Sequence, residues 1–90
     1  MYSEQEQEQI DVLVLKLSQG DSISEQINFN AGSHIADLLA ENGFKSKQMY
    51  STSSAASYES KWSNGKGLMV DIHVGHLFGT YTDVSSYKGW

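Results

Sequence analysis

The residues best spaced to do chemistry are Asp71-x-His73-x-x-His76, with Asp83 a short distance further on. On an extended strand Asp71 and His73 share a face and His76 lies just past the end, so three N/O donors could converge on zinc or another divalent ion. A working site would also need a second shell to orient those donors. The opposite face of the same stretch, Leu68, Val70, Ile72 and Val74, is patterned for a core, so a solvated strand face accounts for the constellation without a metal. Whether Asp71, His73 and His76 bind one stays open at this level. No metal ligand and no cofactor is assigned.

Other chemistries find less support. Ser, His and Asp are present, but no Gly-x-Ser-x-Gly elbow exposes a nucleophile. Eleven acids always contain two that could be paired for glycoside hydrolysis, and nothing singles a pair out. Gly65-x-Gly67 lacks the strand, glycine loop and helix order of a phosphate cradle. Cysteine is absent, which excludes disulfides, thiol catalysis and Cys-based zinc sites. The expectation is a protein that is not an enzyme.

The more informative pattern is a surface. Taking about 100° per residue on a helix, Glu4, Glu8, Asp11 and Leu15 fall within one arc with Val12 at its edge. That arc lies away from the Ile10, Leu13, Val14 and Leu17 stripe. Acids interleaved with two apolar residues on an outward face suit docking on a basic, partly apolar partner. The competing reading is that the sheet or a homodimer mate buries Val12 and Leu15. Glu4, Glu8, Asp11, Val12 and Leu15 are therefore the candidate binding residues.

Charge supports that choice. From Met1 to Phe44, eight acids face one lysine, a net of −7; from Lys45 to Trp90, five lysines face three acids, a net of +2. There is no arginine, the side chain best suited to phosphate and guanine. An acidic surface is repelled by nucleic acid and anionic membranes and attracted to basic protein grooves. Seven aromatics lie after Phe44 (Tyr50, Tyr58, Trp62, Phe78, Tyr81, Tyr87 and Trp90), but stacking on single strands needs a cationic groove that five scattered lysines do not make.

The elements that would carry this surface follow from local pattern. Ninety residues, 39 % of them apolar, make one domain with one core, spanning residues 1–90. No apolar run nears the ~20 residues of a membrane helix, and the start has no basic leader, so a cytoplasmic protein is expected. Ser3 and Glu6 form a capping box for a helix ending at Gly20. A strand over Ile10–Leu17 is the alternative, and the cap favours helix. Ser22 and Glu25 repeat the capping spacing and predict a second helix through Ile27. Ser33–Asn42 is a third, with Gly43 at its end and Phe44 folded back on Leu39.

Beyond Phe44 the period changes to two. Lys47–Thr52, Ser57–Trp62, Gly67–Val74 and Leu77–Thr82 read as strands, Ser51–Ser57 as a loop and Ser63-Asn64-Gly65-Lys66 as a hairpin turn. Val84, Tyr87 and Trp90 have near-helical spacing. The expected fold is α+β: about three N-terminal helices, in an acidic half over residues 1–44, packed on a three- to four-stranded antiparallel sheet over 45–90. The predicted core is Ile10, Leu13, Val14, Leu17, Ile27, Ile35, Leu38, Leu39, Phe44, Leu68, Val70, Ile72 and Val74.

Three helices followed by an Asn-Gly hairpin resembles the winged helix-turn-helix family over about Ser3–Val74, which implies a DNA-binding regulator. Its reading helix would be Ser33–Asn42, which bears Asp37 and Glu41 and no Lys or Arg. In size, acidity and lack of motifs the chain is similar to phage- or plasmid-borne inhibitors of the anti-CRISPR and anti-restriction kind, which share no motif to carry over. The leading expectation is a non-enzymatic, acidic, protein-binding inhibitor that occupies a basic surface of a larger protein or ribonucleoprotein complex, without contacting nucleic acid or membrane itself.

Overall fold

The computed structural model describes residues 2–51, 57–76 and 79–89, with backbone alone for 47–51, 57 and 58. The first helix, α1, runs Glu4–Ser18. Ser3 Oγ accepts from the Glu6 amide at 3.1 Å and the Glu6 carboxylate accepts from the Ser3 amide at 2.9 Å, so both halves of the capping box are made. At the other end the Gly20 and Asp21 amides close on the Leu17 and Lys16 carbonyls, and Gly20 takes φ +83°, the left-handed turn that glycine adopts without strain.

The second helix, α2, spans Gly32–Glu41 and ends the same way, with the Gly43 and Phe44 amides on the Ala40 and Leu39 carbonyls. Phe44 is thereby folded back into the core. The N-terminus of α2 has no cap from Ala31; Asn30 Oδ1 accepts from the Gly32 amide instead.

Five strands complete the structure: β1 Ser24–Ile27, β2 Lys45–Ser51, β3 Ser57–Ser63, β4 Leu68–Gly75 and β5 Tyr81–Lys88. They form one sheet in the order β1-β5-β4-β3-β2, antiparallel at every pairing. The protein is therefore α+β, with two helices and a five-stranded antiparallel sheet among the described residues. Alternation sorts the faces. Ser60 and Trp62, the four apolar residues Leu68 to Val74, then Thr82, Val84 and Ser86, and Ile27 point toward the helices and are buried. Ile10, Leu13, Val14, Leu17, Ile35 and Leu39 meet them from α1 and α2.

Several expectations need correction. Residues 22–27 are not a helix: Ser24–Ile27 is edge strand β1, which separates the two helices, so helix count falls to two and strand count rises to five. The segment after Thr82 is not a helical cap on the core. It continues as β5, inside the sheet between β1 and β4, with Val84 buried. The strand expected over Leu77–Thr82 begins at Tyr81, and residues 77 and 78 lie outside the described residues, as do Trp90 and residues 52–56 of the expected Ser51–Ser57 loop. With a strand in place of the second helix, the winged-helix order is absent. Of the predicted core, Leu38 is only half-buried, while Ala31, Ala36, Trp62 and Val84 join it. The Asn64 turn forms as expected, its side-chain oxygen accepting from the Lys66 and Leu68 amides at 2.7 and 3.0 Å.

Two hydroxyls on β5 fix the edge of this sheet. Ser86 Oγ donates to the Asp21 carbonyl (2.6 Å) and accepts from the Ile23 amide (2.8 Å), just before β1. Thr82 Oγ1 donates to the Phe29 carbonyl (2.7 Å) and accepts from the Ala31 amide (3.0 Å), just after it. Thr82→Val keeps the shape and strands one backbone donor and one acceptor in a buried site. At about 1–3 kcal/mol for each unsatisfied group, the loss should be roughly 2–6 kcal/mol in urea unfolding, and a loss below ~0.5 kcal/mol would contradict this account.

Candidate functional site

The five candidate residues all lie on α1 and all are exposed. Helical geometry requires them to be together: Glu4, Glu8, Asp11 and Leu15 succeed one another at three- and four-residue steps along one side. The sheet does not bury the apolar pair, since Val12 retains 44 % and Leu15 57 % of its possible exposure. The Asp11 carboxylate accepts from the Gln7 amide nitrogen at 2.9 Å, a bond that holds the acid against the helix surface. Among the described residues no lysine pairs with Glu4, Glu8 or Asp11, whereas Lys16 is held 3.2 Å from Glu25.

The face also has a second wall. Between α1 and β1 runs a groove of about 360 Å³, lined by Gln5, Glu8, Gln9, Val12 and Leu13 on one side and Glu25, Gln26 and Ile27 on the other. Glu8 and Val12 thus belong both to the exposed arc and to the groove. Leu13 and Ile27 are buried core residues whose edges form its apolar floor. The Lys16–Glu25 ion pair bridges helix and strand beside it. Glu25, Gln26 and Ile27 were not among the expected site residues. The signal for them is the period-two alternation of Ile23, Glu25 and Ile27, which the capping-like Ser22 and Glu25 spacing outweighed.

The Asp71, His73 and His76 group is arranged differently from a metal site. Asp71 and His73 do share the outer face of β4, but each faces a cross-strand neighbour. Lys61 Nζ lies 3.2 Å from Asp71 Oδ1, a charge contact out of line for a hydrogen bond. His73 Nδ1 lies 3.7 Å from Asp83 Oδ2, an ion pair only when the imidazole is protonated. Gln26 donates to the other Asp83 oxygen at 2.8 Å. His76 sits beyond the strand against Thr80 Oγ1 at 3.2 Å. Among the described residues, no three His, Cys, Asp or Glu side chains are grouped to hold a metal ion. The row is a polar ladder over the open face of the sheet, of the kind that stabilises cross-strand pairs.

The fold and site define an α+β protein with an acidic, partly apolar helix face beside an open sheet edge. Comparison with protein-family models, curated proteins and solved structures finds no match to this chain. Among the described residues no helix is long and apolar enough to cross a membrane.

The exposure of Val12 and Leu15 has a measurable consequence. Val12→Ser and Leu15→Ser should each change stability by no more than about 0.5 kcal/mol, because neither side chain supports the core. Leu13→Ala, on the adjacent buried position, should cost about 2–5 kcal/mol. Chemical denaturation of the three variants checks the contrast.

Proposed function

We propose that this protein is a non-enzymatic inhibitor that works by occupying a basic surface of a larger nucleic-acid-handling protein or ribonucleoprotein complex, in the manner of anti-CRISPR and anti-restriction proteins. The observation that carries the reading is the outward face of α1, where Glu4, Glu8 and Asp11 are interleaved with exposed Val12 and Leu15. An acid with no lysine beside it keeps its charge unanswered until a cation of another molecule meets it, and two large apolar side chains beside it add area to bury. A homodimer through this face would set the three acids against their own copies, which opposes it. The same charge opposes direct contact with nucleic acid.

The lysines supply the comparison. Lys45, Lys66 and Lys88 are exposed around the Asn64 hairpin. Lys61 differs from them, since it faces Asp71 across the sheet and its reversal would place two acids together.

Reversing Glu4, Glu8 and Asp11 to Lys should leave the fold intact, at up to about 0.5 kcal/mol per exposed site. Inhibition of target cleavage by purified CRISPR effector complexes and restriction endonucleases should fall at least tenfold, because losing a charge buried against a partner costs about 2–5 kcal/mol. Reversing Lys45, Lys66 and Lys88 to Glu should leave inhibition unchanged. The opposite pattern, with tight duplex-DNA binding by the protein alone in a salt-dependent gel shift, would replace this reading with a DNA-binding regulator.

A further inference from the structure

The two edges of the sheet are built differently. Along β2 the pairing shifts register between Ser46 and Gln48, and the strand carries Lys45 and Lys47. A bulge and lysines both discourage another strand from adding to an edge. Strand β1 pairs regularly from Ser24 to Ile27 and has neither device. Its defences are its shortness and the inward-facing Glu25, whose charge Lys16 answers.

The direction of its free backbone groups follows from the ladder. Ile23 accepts from the Ser86 amide at 2.9 Å, and antiparallel alternation then turns the backbone of Glu25 and Ile27 toward β5 and that of Ser24 and Gln26 outward. Ser24 and Gln26 are exposed, and their outward groups meet no backbone partner among the described residues. A strand added there would lie about 4.8 Å out from β1. Its alternate side chains would enter the groove beside Val12, Leu13 and Ile27.

Charge selects the occupant. The groove presents Glu8, the adjacent arc adds Glu4 and Asp11, and Lys16 and Glu25 answer each other's charge beside it. The geometry points to the outer edge of β1 as the acceptor for an extended, basic segment of the partner protein, added as a sixth strand with apolar side chains in the groove and cationic ones flanking them. Backbone bonds would supply affinity and the groove specificity, as in other strand additions. The inference rests on the α1 face being the docking surface and states how the partner is held there. A second copy of this chain would bring a like-charged edge.

The probe is a blocked hexapeptide of alternating valine and lysine, with its valine–glutamate counterpart as control, titrated into the isotope-labelled protein and followed by amide hydrogen exchange. Exchange of the Ser24 and Gln26 amides should slow at least tenfold with the lysine peptide and stay unchanged with the glutamate peptide. Gln26→Pro, which removes an outward donor and none of the β1–β5 bonds, should abolish the effect, and Gln26→Ala, which loses only the Asp83 contact, should retain it. The exchange readout on the unaltered protein stands even if the proline variant folds poorly. Shifts confined to Glu4, Glu8 and Asp11, without protection at Ser24 and Gln26, would overturn strand addition and leave the α1 reading in place. Equal protection by the glutamate peptide would overturn the charge argument. Protection without peptide that grows with protein concentration would put a second copy in the groove and overturn the proposal.

Discussion

Strand β5 is the member on which the architecture depends, because it joins the edge strand to the rest of the sheet through two buried hydroxyls. Ser86 and Thr82 each donate one hydrogen bond and accept one, bracketing β1 on both sides. A four-residue strand has little pairing of its own to hold it against chain entropy. The side-chain bonds extend its attachment from Asp21 to Ala31 and fix where α2 begins. They also leave β1 at the margin with one side open, which gives the groove its second wall.

The faces of the sheet divide the work of stability and recognition. Toward the helices, Leu68, Val70 and Ile72 are buried against α1 and α2, and burial of such apolar surface is the main force favouring the fold. Away from the helices, Lys61 faces Asp71 at 3.2 Å, while Asp83 accepts from Gln26 at 2.8 Å and lies 3.7 Å from His73. Tyr81 extends that surface by lying over Gly75, where a Cβ would collide with its ring, and beside His73 at 5.8 Å between ring centroids. Exposed pairs of this kind contribute little each to stability. Lys61 answers Asp71 there, whereas Glu4 and Glu8 on α1 have no cationic partner among the described residues.

What local sequence reveals here is set by how far each interaction reaches along the chain. The α1 cap, both glycine-terminated helix ends and the Asn64 turn involve residues within a few positions of one another, and all were legible. So was the outward arc of α1, because helical periodicity alone determines it. Strand β1 was not, since its attachment runs to residues 82–86, and Ser22 with Glu25 imitates a capping box locally. Strand β5 was hidden for a different reason. Its buried side alternates Thr82, Val84 and Ser86, two polar residues to one apolar, so the hydrophobic pattern that marks a buried strand is missing. Half of the groove was invisible for the same cause, because Glu25, Gln26 and Ile27 line it only once β1 is paired.

Charge polarity ties the helix ends to the acidic face of α1. Glu4 and Glu6 occupy the first turn of α1, where the helix dipole is positive and favours acids. At the opposite end, the carboxyl-terminal turns of α1 and α2 come beside the Asn64 hairpin, where Lys66 and Lys88 line one hollow with Gly20, and Lys45 lines another with Gly43. Cations there suit the negative ends of both helices. The separation is incomplete, since Asp21 follows α1 and Glu41 closes α2 at that same end. Under the proposed reading, a basic partner would be drawn toward α1 and kept from the hairpin end, so that the field would orient it before contact.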